Sequence, residues 1–399
     1  MTCPQLEIAD IFRHHGQQWR ETHQGHVSLN QLKVMSAIEH CRTQVLGGHL
    51  LRCQACEDTH ISYNSCRNRH CPKCQASSAK RWLEARQAQL LPVDYYHLVF
   101  TLPKEVANLA YYNKSVMYGL LLKVAAETLL TIGADVKRLG AKLGVTFVLH
   151  TWGSTMTHHP HVHGIVPGGG LSADGEHWVS CKSGFFLPVR VLSRLFRRLY
   201  LEKLYQAHQQ HSLLFFGNDE PLEDKASFAK WLTPLRKKEW VVYAKRPFAG
   251  PKAVLSYLSR YTHRVAISNS RLVKCDSNEV TFRCKHYRAK VSKRYRTMTL
   301  SNNEFIRRFL LHTLPLGFHR IRHYGLTANT GCKKNLKQAR KLLNVVEVIP
   351  ETKDLVGDKP IKQAQAPVFV CPECGGPMVI KEILNSQLKP RAPPMKLVN

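Results

Sequence analysis

The segment CQACEDTHISYNSCRNRHCPKC, Cys53 to Cys74, restricts the fold of this chain more than any other stretch. Cys53 and Cys56 form one CxxC pair, and Cys71 and Cys74 form a second after fourteen intervening residues. A CxxC turn is short enough to aim two thiolates at one ion, and two such turns complete a tetrahedral zinc site. The spacing therefore predicts one zinc held by Cys53, Cys56, Cys71 and Cys74. Four thiolates leave no open coordination position, so that zinc is expected to support the fold of a small nucleic-acid-binding module. Cys66 and His70, inside the loop, are weaker candidates, and with Cys41 and His49 they would make a second Cys/His quartet. Far downstream, Cys371 and Cys374 in CPECGG are half a knuckle, which needs distant ligands such as Cys332 or a partner chain.

Charge narrows the partner. Lys and Arg number 58 against 28 Asp and Glu, a net of +30. An excess this large in a chain of ordinary globular composition (44% hydrophobic) points to a polyanion, and nucleic acid is the expected one. The amino terminus, MTCPQLEIADIF, lacks the basic and apolar regions of a signal peptide. YGLLLKVAAETLL is broken by Lys123 and Glu127, so no membrane span is expected. The expected location is the cytoplasm, on the nucleoid, where thirteen cysteines are read as metal ligands or buried thiols rather than disulfides.

A length of 399 residues implies more than one domain. Residues 5–46 read as two helices, the second capped by Ser28. DYYHLVFTLP, GVTFVLHTWG and HPHVHGIVPGG read as strands, and LPVRVLSRLFRRLYLEKLYQAHQQ as a basic amphipathic helix. Gly168–Gly170 read as a turn closing the third of these strands. WVVYAKRP is a strand and GPKAVLSYLSRYTHRVA a helix, and hairpin-like runs fill 267–300. This predicts an α+β chain in four parts. Residues 1–91 form a helical zinc-binding domain and 92–270 an α/β domain with an antiparallel sheet. Residues 271–345 form a basic DNA-binding extension, and 346–399 a mobile tail around a CxxC knuckle.

The histidines of THHPHVHGIVPGGG pose the chemical question. On a strand, side chains alternate, so His159, His161 and His163 share one face. A hundred residues later, Tyr257 and Tyr261 stand at i and i+4 and leave one helix face together. Lys252, Arg260, His263 and Arg264 surround them, and Lys252, Arg260 and Arg264 are candidate phosphate contacts.

A His-hydrophobic-His strand followed by a Tyr-x3-Tyr helix resembles the HUH single-strand endonucleases. Together with YNSCRNRHCPKC, YLSRYTHR and LPLGFHRIRHYGL, it is similar to the rolling-circle transposases of the insertion sequence 91 family. The resemblance runs from about Cys41 to Leu343. It implies an HUH nuclease fold over 92–270, with Tyr257 and Tyr261 attacking single-stranded DNA at element ends and target. The products would be a 5′-phosphotyrosine and a free 3′-OH. His161 and His163 would hold Mg or Mn. Family members often carry glutamine where this chain has Ser154, which leaves the third ligand to a histidine, His159 first and His150 behind it. A plasmid or phage replication initiator shares this chemistry, and a zinc nucleic-acid-binding protein without catalysis is the rival of another class. The chain contains no P-loop motif, so a host helicase, or DNA already single-stranded, is expected to supply the open strand.

Overall fold

The computed structural model describes residues 6–87, 89–182, 184, 186–245, 265–285, 295–345 and 369–387. The chain divides into two units, one of residues 7–75 with 347–399 and one of residues 1–6 with 76–346. This differs from the four segments expected. The larger unit begins at residue 76 rather than 92 and includes the whole of 271–345, while the described part of the C-terminal tail belongs with the N-terminal domain.

In the smaller unit, α1 (Ile8–Thr22) and α2 (Leu29–Glu39) are the two helices expected. Both open on capping boxes. Ser28 Oγ accepts the Gln31 N–H at 3.3 Å and Gln31 Oε1 accepts the Ser28 N–H at 3.0 Å. The helices bury Ile8, Ile11, Phe12 and Trp19 of α1 and Val34, Met35 and Ile38 of α2. Arg20 meets Glu39 at 2.6 Å across this pair. A hairpin follows, β1 (Gly48–Cys53) and β2 (Thr59–Tyr63).

The larger unit opens on α3 (Gln75–Gln87) and is built on five antiparallel strands. They are β3 (Tyr95–Thr101), β4 (Gly144–Trp152), β5 (His158–Pro167), β8 (Val242–Lys245) and β12 (Ile321–Gly325), in the order β12-β4-β5-β3-β8. β12 explains why 271–345 is not a separate extension: it pairs with β4 along its whole length, from Ile321 opposite Val148 to Gly325 opposite Gly144. Without it, the backbone edge of β4 would lack a partner.

Alternation separates the two faces of this sheet. Tyr96, Leu98 and Phe100 of β3, Val145, Phe147 and Leu149 of β4, and Val162 and Val166 of β5 enter one apolar core. α4 (Lys104–Tyr112), α5 (Lys114–Ala134), α6 (Val189–Gln209) and α7 (Lys225–Lys237) pack on that face and supply much of the same core. Among the described residues, α5 is the one helix long and apolar enough to cross a membrane, yet 61% of its apolar window is buried, and Tyr118, Leu121, Ala125 and Leu129 lie in the core. A helix that buries most of its apolar window in this way, with Lys123 on its exposed side, belongs to the body of a fold. The other face of the sheet carries His150, His161 and His163.

Smaller elements complete the unit. β6 (Gly169–Leu171) and β7 (Trp178–Ser180) form a ribbon where a turn was expected for the three glycines. A Cβ on Gly169 would come within 2.6 Å of the Val179 carbonyl, so the close strand approach requires glycine there. The hairpin pattern of 267–300 folds as β9 (Leu272–Cys275), β10 (Glu279–Lys285) and β11 (Tyr295–Ser301), followed by α8 (Asn302–Leu311) and, after β12, α9 (Cys332–Leu342).

Candidate metal centres

On the face away from the helices, His150 of β4 stands directly opposite His161 of β5, and His163 follows two residues on. One ligand nitrogen from each of the three lies within 4.8 Å of the others. The third histidine is therefore His150, and His159 is not in the group. The reason is a bulge. His150 pairs with His161 but Trp152 pairs with His158, so three steps of β5 span two steps of β4. The extra residue breaks the alternation on which the expectation for His159 rested. His159 is exposed, and it contributes its carbonyl instead, which accepts a 2.6 Å hydrogen bond from His161 Nδ1.

That bond fixes the chemistry of His161. With its proton on Nδ1, the lone pair of Nε2 is available to a metal. His163 is held similarly, its Nδ1 lying 2.8 Å from His97 Nε2 with the two rings stacked. The tautomer of His163 that ligates through Nε2 is the one that donates from Nδ1 to His97. Trp152 stacks on His150 with ring centroids 4.7 Å apart. Burial pushes the His161 imidazole down to about 4, and burial with the nearby Lys245 ammonium does the same for His97. Both rings are neutral at physiological pH, as metal ligation requires.

A cleft of about 520 Å³ opens above the three rings, with Ser154, Ser268, Ser270, Arg271, Lys285 and Tyr295 in its walls. Arg271 is held by the carbonyls of Arg283, at 2.7 Å, and Ser154. An imidazole cluster beneath two cations and several hydroxyls suits a divalent ion with a phosphate group on its open positions.

The thiols do not group as their spacing predicts. Cys53 and Cys56 sit at the tip of the β1–β2 hairpin, whereas Cys41 precedes it and Cys66 follows it at the other end. A six-residue strand is about 17 Å long, so the tip cannot share an ion with residues at the base. Cys71 and Cys74 instead join Cys41 and Cys66, with all four sulfurs within 4.8 Å. Cys41 and Cys74 are 3.5 Å apart and Cys66 and Cys74 3.6 Å. Sulfurs placed tetrahedrally at about 2.3 Å from zinc would be about 3.8 Å apart. Cys41 is pushed down to about 2 by the S–H groups of Cys66 and Cys71 that donate to it, whereas Cys66, which holds its proton for Cys41, is pushed up to about 12. Only a cation lets all four ionise together. His49 and His70 are outside this group; Cys53 and Cys56 gather with Cys371 and Cys374, and not with Cys332.

Residues 11–102 match the family described as "Transposase zinc-binding domain", and residues 144–335 the family described as "Putative transposase". The chain is 55% identical over 339 residues to "Putative transposase y4qJ" of Sinorhizobium fredii (strain NBRC 101917 / NGR234), covering 85% of this chain and 84% of that one. It belongs to the insertion sequence 91 family of transposases. The transposase is also 27% identical over 354 residues, 88% of its length and 83% of the relative's, to "Transposase for insertion sequence element IS801" of Pseudomonas savastanoi pv. phaseolicola. No solved structure matches it. DNA is accordingly its substrate, its zinc-binding domain carries four-cysteine clusters, and the region of the second match carries a histidine triad.

Tyr257, Tyr261, Lys252, Arg260 and Arg264 of the transposase lie in residues 246–264, outside the described residues. The residues that border this stretch are at the site. Lys245 pairs with His97 across β8 and β3, and Ser268 lines the cleft. His150 had a signal in the sequence, as a histidine inside the apolar run GVTFVLHTW, where a buried imidazole needs a use. Arg271, Lys285 and Tyr295 had none, because only the chain path brings them over β5.

Buried histidines should also make this unit of the transposase acid-sensitive. Burial pushes His158 down to about 4, helped by the Lys114 ammonium, and Tyr118 Oη lies 2.7 Å from its Nε2. A folded pKa below the unfolded value of about 6.5 gives stability that is complete above pH 6.5. It is lost as pH falls toward 4, because the unfolded chain binds the proton first. The His158→Gln variant, which keeps an acceptor for Tyr118 but cannot titrate, should not share this loss. Urea unfolding should show wild type weakening relative to the variant by at most about 1.4 kcal/mol per pH unit between pH 6.5 and 4. A difference that is flat across that window would show that His158 is not held neutral.

Proposed function

We propose that this transposase nicks and rejoins single-stranded DNA at element ends through Tyr257 and Tyr261, by way of a 5′-phosphotyrosine. The observation that carries the reading is the triad of His150, His161 and His163 on the floor of a cleft walled by Arg271 and Lys285. A divalent ion, Mg or Mn, would be held by those three imidazoles. When bound, it supplies Lewis-acid polarisation of the scissile phosphate and leaves room for phosphate oxygens.

The chain's own groups do the rest. Arg271 and Lys285 hold the phosphate by charge, and Tyr295 and Trp152 offer aromatic faces for the neighbouring bases. A tyrosine phenol, weak as a nucleophile at its usual pKa near 10, loses its proton as its oxygen bonds to phosphorus. The P–O3′ bond breaks, and the departing oxygen takes up a proton to become a 3′-OH. Attack by a 3′-OH on the phosphotyrosine reverses these changes and releases the phenol, so rejoining needs no nucleotide triphosphate. Two tyrosines allow two such ends in one reaction. Cys41, Cys66, Cys71 and Cys74 hold a structural zinc that supports DNA binding. Strand opening comes from a host helicase or from DNA already single-stranded, and the reaction takes place in the cytoplasm on the nucleoid.

Covalent trapping tests this reading. Single-stranded oligonucleotides tiled across the element's ends are incubated with the protein and Mg or Mn, then run on a denaturing gel. At least one should give a retarded, protease-sensitive protein–DNA adduct that EDTA prevents. A protein that binds DNA without cleaving it leaves no adduct with any oligonucleotide, and that result would overturn the proposal.

A further inference from the structure

The second group of thiols lies outside the matched family regions in half of its members: Cys371 and Cys374 follow residue 335, where the catalytic match ends. We propose that Cys53, Cys56, Cys371 and Cys374 hold a second zinc, which fastens the C-terminal segment of the chain into the N-terminal domain. This site is independent of the strand-transfer chemistry.

The backbone brings the four sulfurs together. β14 (Pro377–Leu384) runs antiparallel to β1, from Gly48 opposite Leu384 to Cys53 opposite Met378, and β13 (Phe369–Val370) pairs with β14. The sheet order is β13-β14-β1-β2, so each CxxC forms the turn of its own hairpin and the two turns lie at the same end. Each turn places a backbone N–H on one of its sulfurs: Ala55 N–H on Cys53 Sγ, the first cysteine of its pair, at 3.3 Å, and Gly376 N–H on Cys374 Sγ, the second of its pair, at 3.4 Å. A left-handed residue follows the second cysteine in each, Glu57 at φ 61° and Gly375 at φ 74°. Cys53 and Cys374 are 3.5 Å apart and Cys56 and Cys371 3.7 Å, with all four sulfurs within 4.8 Å. These are again the edges of a sulfur tetrahedron about zinc. Gly376 is required by the approach, since a Cβ there would lie 2.9 Å from the Ala55 Cβ and 3.3 Å from Cys53 Sγ.

Beyond the β1–β14 ladder, this corner has little apolar packing. Its core is Leu51, Cys53, Cys371 and Met378 with Phe369 against them, and β13 is two residues long. Apolar burial on this scale does not secure a returning strand, and a bound metal would, because its binding energy is folding energy. The two zinc sites also differ in access. Cys41, Cys71 and Cys74 are buried, whereas Cys56 and Cys374 are exposed. A chelator therefore reaches the second ion first, and β13 and β14 come away with it.

Two measurements on the full chain test this. Metal analysis should find two zinc ions per wild-type chain and one in the Cys371→Ser/Cys374→Ser variant. Separately, a protease site inserted after Gly357 lets the purified protein be cut between the catalytic unit and the C-terminal segment. The cut fragment should co-elute with the remainder on gel filtration, and a mild chelator should release it together with one zinc while the other stays bound. The cut chain keeps its native cysteines, so this result stands even if the double variant misfolds. One zinc in wild type, or a fragment that leaves while two ions remain, would overturn the proposal. So would a fragment that stays after one ion has gone. Failure of the nicking assay would leave these outcomes unchanged.

Discussion

His150→Ala, His161→Ala and His163→Ala should each abolish DNA nicking while leaving most of the DNA affinity in place. Each removes one of three nitrogens from the same small group. Lewis-acid stabilisation of a phosphoryl transition state is worth several kcal/mol, and each 1.36 kcal/mol is tenfold in rate. A loss of about a thousandfold or more is expected in initial-rate assays at saturating DNA. Affinity should persist because the +30 charge is spread over the whole chain and these substitutions remove none of its Lys or Arg.

His159→Ala is the informative contrast. Its ring is outside the group, and its carbonyl, which orients His161, survives the substitution. Nicking should therefore fall only slightly. His97→Gln lies between these extremes. Loss of an oriented partner of a ligand costs about 10–100-fold in metal affinity, so activity should drop at low Mg or Mn and recover as the metal is raised. If His159→Ala were as damaging as His161→Ala while His150→Ala were tolerated, the third ligand would be His159 and the register reading would fail.

Tyr257→Phe together with Tyr261→Phe should eliminate the covalent DNA adduct altogether while leaving DNA binding intact. Phenylalanine keeps the ring and its packing and removes only the oxygen that would bond to phosphorus. At least one single variant should still form an adduct, through the remaining hydroxyl, yet each should fail to complete strand exchange. The assay is the same denaturing gel, with filter binding of labelled oligonucleotide as the folding control. An adduct in the double variant would place the nucleophile elsewhere. Tyr295, whose phenol lines the cleft, would then be the first residue to test.

Residue type and local spacing were enough to identify the family and its histidine metal-site candidates. His161-Val162-His163 on a strand puts two imidazoles on one face with a buried valine between them, and the structure has that arrangement. The capped helix from Ser28, the hairpins after Ile267 and the polyanion partner implied by +30 are local or compositional properties of the same kind. The family resemblance rested on such short motifs and agrees with the family matches.

What the tertiary structure decided were the partnerships between distant segments. Spacing along the chain assigned Cys53, Cys56, Cys71 and Cys74 to one ion, but the strands of a hairpin carry its tip away from its base. Cys53 and Cys56 thus meet Cys371 and Cys374, more than 300 residues on. Period-two alternation selected His159, but one extra residue in β5 breaks that alternation, and the close group takes His150 while His159 lines the cleft beside it. Residues 271–345 read as an extension, although β12 closes the sheet edge and Arg271 and Lys285 wall the cleft. The physical reason is common to all three. A local pattern specifies which way a side chain points on its own element, whereas register, bulges and strand order specify what it meets. Those are settled by backbone hydrogen bonds and apolar burial summed over the whole sheet.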